Sequence, residues 1–219
     1  MEISEASCEK TQKENWLMTL SMKDLENLQF LFSEQHLDYQ MELADGKIIL
    51  MEPSDVYASE VGVQLISFLW NWVYPRKLGR VFDSSGGFVL PTVSDNVKAP
   101  DVSFVLAQRL KQSPRYFAQM LPNLTVEIKS QSDRIPPLEE KNLQFLALGS
   151  QVGILIDPDK ETVTIYRSNQ TTVFLENGDV VEVPELLPNW SMPVSDLWPP
   201  VFEWLEICQV VSQKLLNNK

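Results

Sequence analysis

Leu124-Thr125-Val126-Glu127-Ile128-Lys129 is the stretch of this chain that decides its fold. The apolar run indicates a β-strand, and the side chains of a strand point alternately to two faces. Glu127 and Lys129 therefore share one face, while Val126 and Ile128 fill the other. Burying a charged group costs free energy unless the group is paired or binds a metal ion. This strand is therefore a candidate site at the edge of an apolar core.

A second carboxylate precedes another apolar stretch. Pro100-Asp101 lies 26 residues before Glu127 and opens a strand predicted over 102–106. Two carboxylates and a lysine suit a divalent metal ion and a water molecule that attacks phosphate. The acidic-x-Lys triplet also begins at Asp45 and at Glu139. The triplet at Asp45 is explained by a turn. The triplet at Glu139 lies in a predicted helix, where residues two positions apart do not face each other.

The composition is that of an ordinary globular protein without a disulfide framework. Of 219 residues, 44% are hydrophobic and 22% are charged. No apolar run approaches the ~18 residues of a membrane span, so no membrane association is expected. Two cysteines near opposite ends favour a reducing cytoplasm. The net charge of -12 counts against tight nonspecific DNA binding, although a local basic groove or a bound metal ion is compatible with it.

The remaining patterns predict an α/β protein with a central mixed sheet and helices on its faces. Helices are expected from Ser21, over 57–73 with Pro75 as the stop, from Pro136 to Gly149, and over 201–216. Asp45-Gly46 and Asn177-Gly178 predict β-hairpins over 39–51 and 173–183. Further strands are expected over 80–82, 87–90, 124–129, 152–156 and 163–166, with helical turns in 108–121 and irregular structure in 184–200. Residues 1–18 are interpreted as a flexible leader and residues 19–219 as a single domain.

These motifs resemble those of one known family. Pro100-Asp101 with Glu127-Ile128-Lys129 matches the signature of PD-(D/E)XK nucleases, which share the restriction-endonuclease-like fold. Over about residues 20–197 the chain resembles the Uma-two family of inferred restriction endonucleases, in the segments 42–47, 81–91, 99–105, 126–133, 140–141 and 154–158. The resemblance implies a restriction-endonuclease-like core, a central mixed β-sheet flanked by helices, with extra N-terminal and C-terminal β-hairpins.

The resemblance also assigns catalytic roles. Asp101 and Glu127 would be metal ligands for Mg²⁺ or Mn²⁺, with the Ile128 carbonyl as a third. Lys129 would position or deprotonate the attacking water or steady the developing charge. Glu60 would reach the site from the long helix and complete the acidic cluster. The alternative for Glu60 is a solvated helix face.

Three further residues would contact nucleic acid. Gln64 follows Glu60 on the same helical stripe, and Lys141 with Gln144 lies on the helix after the catalytic strand, which flanks the cleft in this fold. The alternative for Lys141 is an ion pair on the helix surface. Glu42 is interpreted as a strand residue that holds its hairpin, and the sole histidine, His36, as structural.

Together these roles predict a Mg²⁺- or Mn²⁺-dependent endodeoxyribonuclease that hydrolyses phosphodiester bonds in DNA. A homodimer is expected, because cutting both strands suits two sites related by a two-fold axis. Two alternatives stay open. One is a catalytically silent nucleic-acid-binding module of the same fold. The other is an acidic protein-interaction domain, which the net charge of -12 favours.

Overall fold

The structure is a computed structural model that describes residues 19–37, 39–51, 54–91, 96–168 and 170–202. Its helices are α1 (Met22–Glu34), α2 (Val56–Arg76), α3 (Ile135–Leu148) and a short 3-10 helix (Val194–Leu197). Its strands are β1 (Gln40–Ala44), β2 (Lys47–Met51), β3 (Gly79–Asp83), β4 (Phe88–Val89), β5 (Val97–Lys98), β6 (Val102–Leu106), β7 (Leu124–Ile128), β8 (Val152–Asp157), β9 (Thr162–Arg167), β10 (Val173–Leu175), β11 (Val180–Glu182) and β12 (Ser191–Pro193). Across the described ranges, no helix has the length and apolarity that a membrane crossing requires.

A six-stranded mixed sheet forms the centre of the fold, in the order β10-β9-β8-β7-β6-β3. Strands β7 and β8 are parallel, whereas β6 and β9 pair with them in the antiparallel sense. A parallel pair needs a long crossover connection, and α3 supplies it. Strand β7 therefore lies inside the sheet, and all five of its residues are buried.

Helices cover both faces of this sheet. The buried residues of α2 recur every three or four positions and pack with β6, β7 and β8; they are Ala58, Val61, Leu65, Leu69 and Val73. Along β8, Ile154 and Ile156 belong to this core, whereas Leu155 packs with Leu146 of α3. Because side chains alternate along β8, one face of this strand packs against α2 and the other against α3.

A second sheet lies beside the first, in the order β2-β1-β5-β4. Helix α1 packs on it through Leu25, which contacts the buried cluster of Met41, Leu43 and Val97. Because Met41 and Leu43 point toward α1, Glu42 between them points to the opposite face. Glu42 is buried there, with 5% of its surface exposed.

The prediction that Pro75 ends the long helix is wrong, since α2 runs through it to Arg76. A proline in the last turn removes one backbone donor but does not stop the residues after it from being helical. The helix ends instead at Lys77, whose φ of 54° is left-handed. The backbone N–H groups of Lys77 and Leu78 donate to the carbonyls of Tyr74 and Val73 and close the helix end.

The predicted hairpin across Asn177-Gly178 is also wrong, because β10 pairs with β9 and β11 pairs with β12. The turn itself forms, with Asp179 N–H donating to the Glu176 carbonyl, but a turn does not choose the partners of its flanking strands. Turns and bends replace the helical turns predicted in 108–121, and Leu110 and Leu121 pack in separate clusters. Strand β12 and a 3-10 helix lie in 184–200, which was expected to be irregular.

Three predictions concern parts of the chain at its ends. The leader over 1–18 and nearly all of the helix predicted over 201–216 lie outside the described residues. The single domain over 19–219 stays a prediction.

Strand β5, two residues long, was not expected from the sequence.

Candidate active site

Strands β6 and β7 bring the two predicted carboxylates to neighbouring positions. Asp101 immediately precedes β6, and its Oδ2 accepts a 2.7 Å hydrogen bond from the backbone N–H of Ile128. Glu127 is the preceding residue of β7 and is almost fully buried. Burial raises the pKa of Glu127 to about 8, and the negative charge of Asp101 adds to the rise although Lys141 opposes it. Burial likewise raises the pKa of Asp101.

The positive charge within this cluster comes from Lys141 of α3. Its Nζ lies 2.9 Å from Oε1 of Glu42 and 3.2 Å from Oε2 of Glu127, and it donates a third bond of 2.9 Å to the Ala99 carbonyl. Burial lowers the pKa of the Lys141 ammonium, but Glu127 and Glu42 outweigh it and the net shift is upward. Lys141 is therefore a charged, buried bridge between two sheets.

Glu42 and Lys141 together hold the loop that leads into Asp101. Oε1 of Glu42 accepts a 2.9 Å hydrogen bond from the backbone N–H of Ala99, while Lys141 binds the carbonyl of the same residue. Both backbone groups of Ala99 are thus fixed two residues before Asp101. From the sequence, Glu42 was expected to hold its hairpin and Lys141 to contact nucleic acid. The sequence did contain a sign that Glu42 is buried, because this charged residue lies between two apolar residues of β1. That pattern does not indicate which residue pairs with Glu42.

Lys129 points to a different carboxylate from the one predicted to be its neighbour. Its Nζ lies 2.6 Å from Oδ2 of Asp159, whose side chain is 64% exposed, and it donates to the Ser130 carbonyl at 3.1 Å. The hydrogen bond to Asp159 raises the pKa of the Lys129 ammonium. Asp159 belongs to the turn after β8, which the parallel pairing of β7 and β8 brings next to Lys129.

One oxygen of the cluster has no partner among the described residues. Oε1 of Glu127 is buried and accepts no hydrogen bond from any of them, while Oε2 faces Lys141. A buried carboxylate oxygen without a partner is costly, so a water molecule, a metal ion or a proton on the carboxyl group has to satisfy it. In the part of the chain described, no group of three or more His, Cys, Asp or Glu side chains is arranged to hold a metal ion. Mg²⁺ uses one or two carboxylates with water and substrate phosphates, so Asp101 and Glu127 fit it by their chemistry. The Ile128 carbonyl stays a predicted third ligand.

Asp101 opens into a cleft of about 410 Å³ between α2 and the end of β3. The α2 residues that line it include Ser59, Val63 and Ile66. Glu60 and Gln64 are not among the described residues that line this cleft. Burial, then the negative charges of Glu161 and Glu60, raise the pKa of Tyr57 at the start of α2.

The other predicted contacts lie on α3. Gln144 follows Lys141 by one helical turn, and both line a cavity of about 290 Å³ with Lys98 of β5. The structure thus brings together Asp101, Glu127 and Lys141, and Gln144 lies beside Lys141 in the lining of the second cavity. It directs Lys129 to Asp159 and leaves Glu60 and Gln64 outside the cleft lining.

The fold and the site define a class: a mixed sheet between helices, with two carboxylates at adjoining strand ends, as in nucleases of the restriction-endonuclease-like fold. The sequence pattern of the Uma-two family, described as "Putative restriction endonuclease", matches residues 23–195, and the chain belongs to this family.

One solved structure is similar in both fold and sequence. It is described as "a putative nuclease belonging to DUF820 from Anabaena variabilis ATCC 29413". The two chains are 26% identical, with a TM-score of 0.65 over 76% of this chain and 96% of that one. A search of curated proteins finds no match.

Proposed function

We propose that this protein is a metal-dependent endonuclease that hydrolyses phosphodiester bonds in DNA. The observation that carries the proposal is the pair of carboxylates Asp101 and Glu127, with the buried Oε1 of Glu127 unpaired within the part of the chain that the structure describes. Membership of a family described as restriction endonucleases supports a nucleic-acid substrate.

Asp101, Glu127 and the Ile128 carbonyl would hold Mg²⁺ or Mn²⁺. A bound divalent ion would polarise the phosphate and lower the pKa of its water. The Ile128 N–H fixes the orientation of the Asp101 carboxylate, so this ligand is positioned before substrate arrives. Lys141 offsets part of the negative charge of the cluster, and with Glu42 it anchors the backbone that carries Asp101.

Lys129 would act on the attacking water or on the developing charge at phosphorus. Its present partner, Asp159, is 64% exposed, so water screens this ion pair from the Asp159 side although the Lys129 side chain is only 13% exposed, and screened pairs contribute little free energy. The ammonium can therefore exchange this partner for a phosphate oxygen at small cost. A homodimer belongs to the proposal, since two sites related by a two-fold axis can cut both strands.

The test is nicking of supercoiled plasmid with Mg²⁺ and then Mn²⁺. The variant is Asp101→Asn, which keeps the side-chain size and can still accept a bond from the Ile128 N–H. The matched control is Asp196→Asn, because Asp196 is an exposed carboxylate of the 3-10 helix. We expect metal-dependent nicking by the wild type and the control, and none by Asp101→Asn. Equal nicking by all three proteins, or nicking that persists in EDTA, would contradict the proposal.

A second candidate is a nucleic-acid-binding module of the same fold without catalysis. The Lys141 bridge favours it, because an ammonium already neutralises Glu127 without a metal ion. Calorimetric titration with Mn²⁺ separates the two candidates. An endonuclease should show heat that disappears in Asp101→Asn, whereas a silent module should show no carboxylate-dependent heat and should still retard nucleic acid in a gel.

A further inference from the structure

The second half of α2 exposes a stacked aromatic pair. The rings of Trp70 and Tyr74 lie 4.8 Å apart between centroids, with an angle of 12° between their planes. Trp70 is 46% exposed and Tyr74 is 65% exposed, while the core side of the same helix packs on the sheet. The pair therefore stands outside the core and offers aromatic surface to solvent.

A cavity of about 440 Å³ lies next to this pair, and its charged residues are all cationic. Lys77, Arg80 and Lys111 line it, and none of the described lining residues is a carboxylate. No described carboxylate forms an ion pair with Lys77 or Lys111. In a chain with a net charge of -12, cations are expected to find acidic partners, so their separation from acids here needs a reason.

The sequence shows the same separation of charges. Residues 61–82 and 102–126 contain none of the chain's 30 acidic residues but six of its 18 basic ones: Arg76, Lys77, Arg80, Arg109, Lys111 and Arg115. The antiparallel pairing of β3 with β6 brings these two segments together. The Arg80 guanidinium then donates to the carbonyls of Leu110 and Lys111, at 3.1 and 2.7 Å, and ties the loop to β3.

The cavity lined by Lys77, Arg80 and Lys111, called the basic cavity below, and the Asp101 cleft lie along the same side of α2. Ser59, Val63 and Ile66 line the cleft, and Trp70, Tyr74 and Lys77 line the basic cavity. Spacings of four, three, four, four and three residues place all six on a single helical stripe. Strand β3 makes the same connection, because Asp83 lies at the cleft and Gly79 at the cavity. Four strand residues span about 14 Å, so one nucleic-acid chain can contact both.

We infer that the basic cavity is a binding site for single-stranded nucleic acid, with a base stacked on Tyr74 and phosphates held by Lys77 and Lys111. Aromatic rings beside free cations are the combination that binds single strands without sequence preference. A cation at a helix C-terminus also interacts favourably with the helix dipole, which explains Lys77 but not Lys111 or the exposed rings. The inference rests on the proposed function in one respect: the nucleic-acid strand bound in this cavity is taken to be the same strand that enters the Asp101 cleft.

Binding of fluorescein-labelled oligo(dT) and oligo(rU), followed by anisotropy in EDTA, tests the site apart from catalysis. We expect Tyr74→Ala to weaken oligo(dT) binding roughly tenfold. Its control, Tyr116→Ala, removes a tyrosine that is 83% exposed and lines a different cavity, and should bind as the wild type does.

The phosphate contacts are tested by salt dependence. We expect the double variant Lys77→Gln/Lys111→Gln to reduce the slope of log K against log salt by about 1.4, since each lysine contributes about 0.7 on a single strand. The charge-matched control is Lys23→Gln/Lys47→Gln, which removes two exposed lysines from other surfaces and should keep the slope. A loss for oligo(dT) but not for oligo(rU) would assign the site to DNA.

Photocrosslinking tests the wild type without any substitution. Oligo(dT) that carries 5-iodouracil should crosslink to Tyr74 or Trp70, as mapped by mass spectrometry. If the crosslinks lie elsewhere and Tyr74→Ala binds as well as Tyr116→Ala, the inference is overturned. Because EDTA prevents metal-dependent cleavage, this outcome leaves the plasmid-nicking result untouched. If the protein binds oligo(dT) through Tyr74 but never nicks plasmid, the binding-site inference stands and the proposed nuclease function is refuted.

Discussion

Replacing Lys141 by methionine would leave Glu42 and Glu127 without their shared counter-charge. The ammonium lies 2.9 and 3.2 Å from these carboxylates, and both of them are buried. Methionine keeps most of the length of the side chain, so the main change is the loss of charge and of the donor to the Ala99 carbonyl. Removing one partner of a buried ion pair costs about 3–5 kcal/mol. We expect a loss of this size in the free energy of unfolding at high pH.

The loss should depend on pH because Glu127 titrates in the folded protein. Burial raises its folded pKa to about 8 from an ordinary value of 4.5, so its contribution to stability is complete below pH 4.5 and declines as pH rises to about 8. Without Lys141 the folded pKa rises further, and the decline continues beyond pH 8. The cost of Lys141→Met is therefore larger at pH 9 than at pH 6.

Urea unfolding followed by tryptophan fluorescence at both pH values measures this cost. The control is Lys160→Met, because Lys160 is 70% exposed and lies 3.5 Å from Asp157. An exposed pair of this kind should contribute less than about 1 kcal/mol at either pH. If Lys141→Met costs no more than Lys160→Met at pH 9, Lys141 is not the counter-ion of the cluster and the reasoning is refuted.

Two further predictions concern single residues of the site. Glu127→Gln removes the carboxyl group with the raised pKa, so the decline in unfolding free energy between about pH 4.5 and 8 should flatten in metal-free urea titrations; an unchanged slope would assign the titration to another group. Lys129→Met removes an ammonium whose partner Asp159 is exposed, so the free energy of unfolding should change by less than about 1 kcal/mol. Plasmid nicking by the same variant should fall on the order of 100-fold, and full activity would remove Lys129 from the mechanism.

Several elements could be predicted because their signals are local. Asp45 and Gly46 have φ values of 49° and 73°, the left-handed pair that a two-residue hairpin needs, and β1 and β2 pair around them. Gly149 ends α3 with a φ of 119°, as its position after Leu148 predicted. In each case the residues that set the conformation lie within one turn of chain.

In the long helix α2, a rotation that corresponds to one residue changes which side chains reach the site. Its apolar period was read correctly, and Val61, Leu65 and Leu69 are buried. The polar stripe through Glu60 and Gln64 was expected to face the cleft, but Ser59 and Val63 line it instead. One residue corresponds to about 100° of helix rotation, and packing on the sheet sets that rotation.

The sequence by itself determined the long helices and most of the longer strands, including the apolar strand that carries Glu127, because the periodicity of apolar residues is a local property. It did not determine the short strands β5 and β12. It did place Asp101 at the start of another strand, but only the tertiary structure decided that this strand, β6, pairs with β7. Only the tertiary structure decided that Lys141, rather than Lys129, is the cation beside Glu127. Glu42, Glu127 and Lys141 come from two sheets and a helix. Their contacts depend on strand order and helix packing, which no local pattern in the chain specifies.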